Sequence, residues 1–367
     1  MRILHLLYES KGDYFGVGGV GARAYEIYRY LKHRHEIALL CKKYPGAKDG
    51  EIDGLKHLFA GSESKSLMKT LLSYAYHASF FVKRHSHEFD IIVEEFSPAV
   101  PTLLPAFAKK PVVLQVQGYT GLLYFKKYNP LYAAILSLTE NFKPMLYQNF
   151  IFISDKTVKN FSLSNKKNSE IIPNGVSPEF LGMSPNEGNY ILYFGRIDIY
   201  GKGLDILVHA FTEFHRSFQD IRLVVAGDGR DMNVFKDMLM DLPEKVRRNI
   251  DLPGWVSGEQ KREILRGASF VVFPSRHEVQ PIAVLEALSL SKGVIVSDIR
   301  EFCFVTQSGV GISFRSGDPA SLAKCMKDFA LREDLRVMGQ RGRDLVKDYT
   351  WDKVAAKFEE FLYLIAN

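Results

Sequence analysis

The chain has 367 residues, 46% hydrophobic and 25% charged, with a formal net charge of +6. That is an ordinary globular composition on a chain longer than one hydrophobic core organises, so two domains are expected and a fibrous or disordered protein is excluded. Cys41, Cys303 and Cys325 are too few and too far apart for a disulfide framework or a thiolate metal site, which points to a reducing compartment.

In chain order, Arg2–Leu7 reads as an apolar strand, residues 21–33 show helical periodicity, and residues 36–41 form a second strand. Residues 66–84 read as a helix, and 90–93, 111–117, 150–154 and 170–172 as strands. Pro173-Asn174-Gly175 and the loop 182–189 then break the pattern and read as a linker. The alternation restarts with strands at 190–194, 222–226, 250–252, 270–273 and 293–297. Helices at 204–214, 232–240, 259–267 and 282–290 separate them. This predicts two α/β domains with parallel sheets covered by helices on both faces. The last helix, residues 351–366, could pack on either one.

Charge is unevenly placed. Residues 1–185 hold 23 Lys/Arg against 16 Asp/Glu, while 186–367 hold 25 against 26. Between 97 and 167, nine lysines face only Glu140 and Asp155, interleaved with aromatics such as Tyr119, Tyr124, Phe125, Tyr128 and Phe142. Such a segment is either a solvated face over buried rings or a surface for an anionic partner. Among partners a membrane surface is favoured and nucleic acid is not, because no nucleic-acid motif appears. The opening run MRILHLL is too short for a signal peptide, and no stretch approaches the roughly 18–20 apolar residues that cross a bilayer. The expected location is cytoplasmic, at the inner membrane surface.

The densest chemistry lies in PSRHEVQPIAVLEAL, residues 274–288. Glu278 falls on the loop after an apolar strand, and Glu286 one to two turns into the following helix, with Pro281 suited to the first turn. Carboxylates there can grip hydroxyls while the free amides of the helix start receive an anion. Arg196 and Lys202, in FGRIDIYGKGLDIL, flank another strand-to-helix loop and suit a diphosphate. Residues 16–21, GVGGVG, match a dinucleotide pattern. However, the first strand ends about seven residues too early for that tight turn, and Cys41-Lys42 stands where an acid is required. A nicotinamide or flavin site is therefore not expected, although the glycines can still let backbone approach a sugar or phosphate.

The segments GRIDIYGKGLDIL, VVAGDG, GWVSGEQKREILRGASFVVFPSRHEVQPIAVLEAL and IIPNGV together resemble the retaining GT-B glycosyltransferases of family 4, the glycosyltransferase group 1 enzymes. The likeness is close over residues 170–300 and looser in GGVGARAYEIYRYL and PVVLQVQG. It implies two Rossmann-like doubly wound domains facing a central cleft. These would be an acceptor-side domain (1–181), a nucleotide-sugar domain (182–345) and a final helix (346–367) crossing back to the first domain. It further implies that Arg196 and Lys202 hold the donor diphosphate, that Glu286 binds the ribose, and that Glu278 approaches the sugar. Gln280 and Ile282 would contribute amides around Pro281, Trp255 would lie near the base, and Gly18 and Gly19 would close over the phosphates.

Three departures from that pattern stand out. Gln117-Gly118 replaces the common His-Gly. Val279-Gln280-Pro281 replaces an aromatic and a glycine. Gly201 looks inserted between Arg196 and Lys202. Gln117 can still hydrogen-bond a sugar or phosphate but cannot carry charge. The expected function is transfer of a hexose from a nucleotide diphosphate sugar to an acceptor hydroxyl, saccharide or lipid-linked, in cell-surface glycan synthesis. No cofactor is expected beyond that co-substrate, and no metal, since no Asp-x-Asp motif is present. A nucleotide-sugar epimerase and a catalytically silent sugar-nucleotide-binding subunit remain the alternatives.

Overall fold

The computed structural model describes residues 1–12, 17–161, 167–186, 188–278 and 280–367, so Gly16 of the glycine motif and Val279 lie outside the described residues. The chain divides into two units, Met1–Asn174 with Trp351–Asn367, and Gly175–Thr350.

The first unit is built on eight strands: β1 (Arg2–Leu7), β2 (Glu36–Lys42), β3 (Gly50–Ile52), β4 (Leu55–Ala60), β5 (Ile91–Glu95), β6 (Val112–Val116), β7 (Asn149–Phe152) and β8 (Asn168–Ile171). Their order is β3-β4-β2-β1-β5-β6-β7-β8, and every pair is parallel except β3 with β4. Central strands such as Ile91–Glu95 and Val112–Val116 are buried along their whole length, as expected of strands covered on both faces. The β3–β4 hairpin turns at Asp53-Gly54, both with positive φ (54° and 75°), the conformation a two-residue turn demands.

The closing helix Trp351–Ala366 belongs to this unit and packs on the helix Gly19–Leu31. The Tyr28 and Phe358 rings meet edge-on at 6.0 Å, and Glu359 accepts from His35 at 2.6 Å and pairs with Arg34 at 2.9 Å.

The second unit carries β9 (Tyr190–Phe194), β10 (Arg222–Ala226), β11 (Ile250–Gly254), β12 (Phe270–Phe273), β13 (Val294–Ser297) and β14 (Gly311–Phe314). The order β11-β10-β9-β12-β13-β14 is the doubly wound arrangement, reversing direction between β9 and β12. The unit begins before residue 182, because Val176 and Phe180 are buried in its core and the Val176 amide donates to Tyr349 O at 2.7 Å. The linker-like loop after residue 181 is therefore internal to the second unit.

Several elements escape the periodicity reading, including the hairpin, the helix Pro130–Phe142, β14, and the helices Pro319–Ala330 and Leu335–Val346. No helix among the described residues is long and apolar enough to cross a membrane.

Arg23 ties the first unit together. It is fully buried on the helix Gly19–Leu31 and donates to Ile172 O (2.8 Å), Pro173 O (2.7 Å) and Asn174 Oδ1 (3.0 Å). Burial pulls its guanidinium down to about 10, with Glu95 opposing the shift. Arg23→Met should strand the Ile172 and Pro173 carbonyls and lower stability by about 3 kcal/mol. Urea unfolding followed by circular dichroism measures this, and an unchanged midpoint would deny the network any structural role.

Candidate functional site

In a doubly wound sheet, ligands bind outside the carboxyl ends of the strands where the order reverses. In the second unit that point lies between β9 and β12, and the loops leaving these two strands carry Arg196, Lys202 and Glu278.

The β9 loop is pressed between its neighbours by glycines. Gly203 has φ +68°, and a Cβ there would lie 2.0 Å from Pro274 O on the β12 loop. On the other side, a Cβ at Gly227, in VVAGDG, would lie 1.8 Å from Gly195 O. Backbone thus meets backbone where any side chain would push the loops apart. Within the loop, Asp198 caps the short helix Ile199–Lys202 by accepting from the Gly201 amide at 2.8 Å. Gly201 is therefore a working part of the turn, and its carbonyl also accepts the Arg276 amide at 3.1 Å.

This packing delivers the charged groups. Lys202 Nζ forms a hydrogen-bonded ion pair with Glu278 Oε1, which also accepts from Ser275 Oγ at 2.8 Å. Arg276 braces the two loops. It makes a two-pronged pair with Asp205 (2.8 and 2.7 Å), donates to Tyr200 O at 2.9 Å and lies 4.6 Å from the Tyr200 ring centre. Asp205 holds its guanidinium above the usual arginine range. Arg196 is exposed and, among the described residues, makes no side-chain hydrogen bond or ion pair, while its carbonyl accepts from Tyr193 Oη at 2.8 Å.

Glu286 sits in the helix Ile282–Ser289, 7% exposed, and accepts from Lys261 Nζ at 2.6 Å. Lys261 in turn lies 4.9 Å from the Phe194 ring centre at the end of β9. Pro281 occupies the N-cap of that helix, where no side chain caps the first turn, and Gln280 and Ile282 flank it half-buried. Trp255 follows β11 and is 68% exposed.

Gly18, Gly19 and Gln117 belong to the first unit. Gly18 is the N-cap of the helix Gly19–Leu31, and the Glu9 carboxylate accepts from the Gly18 amide (2.9 Å) and the Gly21 amide (2.7 Å). The chain's own acid thus takes the position at that helix start which the sequence offers to a phosphate. Burial pushes the Glu9 carboxyl up against the pull of the two amides. Gly19 is open, with nothing within 4 Å of a built Cβ. Gln117 Nε2 donates to Glu95 Oε2 at 3.0 Å, and the other Glu95 oxygen accepts from Gln115. A carboxylate can only accept, so Gln117 turns its amide NH2 toward Glu95.

Sequence reasoning does not single out Arg276, Asp205, Lys261, Glu9 or Glu95. Arg276 lies inside the motif PSRHE, but its partner is 71 residues away. Lys261 sits on a polar helix with nothing local to mark it.

The family model for glycosyl transferases group 1 matches residues 188–331, and that for Glycosyltransferase Family 4 matches residues 17–180. A phosphatidyl-myo-inositol mannosyltransferase of Mycobacterium leprae is 30% identical over 208 residues, covering 53% of this chain and 54% of that protein. The chain spans about half the length of the curated relatives it matches. Sucrose-phosphate synthase of Thermosynechococcus elongatus superposes with a TM-score of 0.80 at 16% identity, covering 99% of this chain and 98% of that one. Anabaena HepE in complex with UDP and glucose does so with a TM-score of 0.75 at 14% identity, covering 99% and 100%. The fold is that of the GT-B glycosyltransferases, two parallel-sheet α/β domains.

Gly203→Ala should force a left-handed backbone and a clash with Pro274 O, costing at least about 2 kcal/mol. The measurement is thermal unfolding, and an unshifted Tm would show that the two loops tolerate separation.

Proposed function

Because the chain belongs to the group 1 and family 4 glycosyltransferases, we propose that it is a retaining, metal-independent hexosyltransferase. It moves a sugar from a nucleotide diphosphate donor to the hydroxyl of a saccharide or lipid-linked acceptor. The observation that carries this reading is the Lys202–Glu278 pair, built across the two loops at the reversal point of the second sheet with the unengaged Arg196 on the same loop. The Mycobacterium leprae relative is named for mannosyl transfer, and Anabaena HepE holds UDP and glucose. Both favour a nucleotide-sugar donor.

Breaking the anomeric C–O bond gathers negative charge on the departing diphosphate and positive charge on the sugar ring. Fixed cations at the former are the largest expected catalytic contribution. Arg196 and Lys202 would supply them, which leaves no task that requires a metal. Before the donor arrives, Glu278 keeps the Lys202 ammonium in place. The diphosphate then competes for that ammonium and frees Glu278 to accept a sugar hydroxyl. Glu286, steadied by Lys261, would bind the ribose hydroxyls. The amides of Gln280 and Ile282 would meet a phosphate or sugar oxygen, and exposed Trp255 would cover the base. The acceptor oxygen attacks the same face that the phosphate leaves, and its proton passes to the leaving phosphate oxygen.

Lys202→Ala and Glu286→Ala are expected to fold and to lose at least tenfold in kcat/KM, about 1.4 kcal/mol or more. Unchanged kinetics in both would remove the donor-site assignment. A thermal-shift panel of UDP-, GDP- and ADP-sugars should single out one nucleotide. At roughly 100 times its Kd the matching donor adds about 2.7 kcal/mol of stability. Conversion of the donor to an isomer without any acceptor would replace transfer with epimerisation.

A further inference from the structure

The helix Pro130–Phe142 of the first unit is inside out for a surface helix. Its buried residues are Ala133, Leu136 and the acid Glu140. Leu131, Ile135, Leu138 and Phe142 recur at intervals of four, three and four residues on the opposite face, all exposed. Leu131 is 75% exposed and Leu122, just upstream, 80%, while Met145 and Leu146 continue the apolar surface beyond the helix. An amphipathic helix normally turns such a stripe inward, and a large outward one marks a contact surface.

Polar chemistry holds the inversion in place. The Glu140 carboxylate accepts from the amides of Thr120 and Gly121, each at 2.7 Å, and from Tyr124 Oη at 3.0 Å. Directly after the helix, Lys143 turns into the core. Its Nζ donates to Glu94 (2.6 Å), Val100 O (2.8 Å) and Thr102 Oγ1 (2.7 Å), and Tyr147 Oη donates to the second Glu94 oxygen at 2.5 Å. Two ionisable groups that could have faced water are both spent on anchoring. The helix is a fixed platform whose outer face is apolar.

Charge selects what covers it. Between residues 96 and 154 the sequence contains one acid, Glu140, and it is buried. Lys109 and Lys110 are exposed, and Lys126 and Lys127 fall in the same stretch. The stretch is thus strongly net positive, although Lys110 also feels Asp90, and it favours a negative surface, whereas a second copy of the chain would bring the same positive charge against itself. An apolar stripe among lysines, beside Tyr128, fits the interfacial region of an anionic bilayer.

We propose that this face, from Leu122 to Leu146, lies in the headgroup–acyl boundary of an anionic membrane, with Leu131, Ile135, Leu138 and Phe142 entering the acyl region. The surface is argued from the first unit's own residues, so the inference does not rest on the transfer reading, although it would bring the enzyme to a lipid-linked acceptor.

The test is co-sedimentation with vesicles of phosphatidylglycerol and phosphatidylcholine, and with vesicles of phosphatidylcholine alone. The full chain should bind the anionic vesicles at least tenfold more tightly, with binding weakened by salt. Leu131→Ser/Ile135→Ser/Leu138→Ser should reduce that binding at least tenfold and leave Tm without vesicles largely unchanged, since each of these residues is already half or more exposed. In an independent measurement, the emission of Leu138→Trp should shift to the blue and be quenched by brominated lipid. Equal binding of the triple variant, an unquenched tryptophan, or a stripe whose substitution only dissolves an oligomer would each overturn the proposal. Donor binding, followed by thermal shift on the same triple variant, separates the two readings. Retained donor binding with lost vesicle binding supports the membrane surface. Loss of both, at unchanged Tm, would overturn the assignment of the stripe to the membrane alone.

Discussion

The loop that leaves β9 can lie on the loop that leaves β12 only because residue 203 has no side chain, and the Lys202–Glu278 and Arg276–Asp205 pairs follow from that contact. With Gly203 against Pro274 O and Gly227 against Gly195 O, three successive loops stack backbone to backbone. Lys202 and Glu278 are 76 residues apart in the chain but become neighbours, and Arg276 reaches across to Asp205 and Tyr200 O. Steric permission comes first and electrostatics second. A lysine and a glutamate on loops held a few ångströms further apart would be two solvated charges worth little to each other.

The pairing also shapes the chemistry proposed for the site. A lone ammonium at the end of the β9 loop would be mobile and fully hydrated. Paired with Glu278, and with Ser275 fixing that carboxylate, it is oriented before a ligand arrives. Preorganisation of this sort is what makes a fixed cation more effective than water at a developing negative charge. Glu286 and Lys261 repeat the arrangement one helix away, with the Phe194 ring limiting where the ammonium can go.

The first unit handles charge differently, by taking it inside. Arg23, Glu94, Glu95 and Lys143 are all buried. Such groups are tolerated only when every one finds partners, and here they hold segments distant in sequence: Arg23 the 172–174 turn, Lys143 the end of the helix Pro130–Phe142. One consequence is visible at the surface, where Leu131, Ile135, Leu138 and Phe142 are left to face water on that helix.

The sequence by itself determined the two-domain α/β class, the strand-to-helix loops bearing Arg196, Lys202 and Glu278, and the place of Glu286 in its helix. Apolar runs, strand–helix alternation and proline or glycine punctuation are local signals, and these features depend on nothing else. The helix Pro130–Phe142 was illegible because apolar residues stand on both of its faces, Ala133 and Leu136 inside and Leu131, Ile135 and Leu138 outside, so no one-sided period marks it. The domain boundary was illegible because Val176 and Phe180 are assigned by what they pack against, not by the loop that follows them. Only the tertiary structure decided that Glu9 fills the helix start that the glycines leave open, that Glu95 orients Gln117, and that Lys261 meets Glu286 and Arg276 meets Asp205. Each is a contact between residues far apart in the chain, and a contact of that kind has no local pattern to betray it.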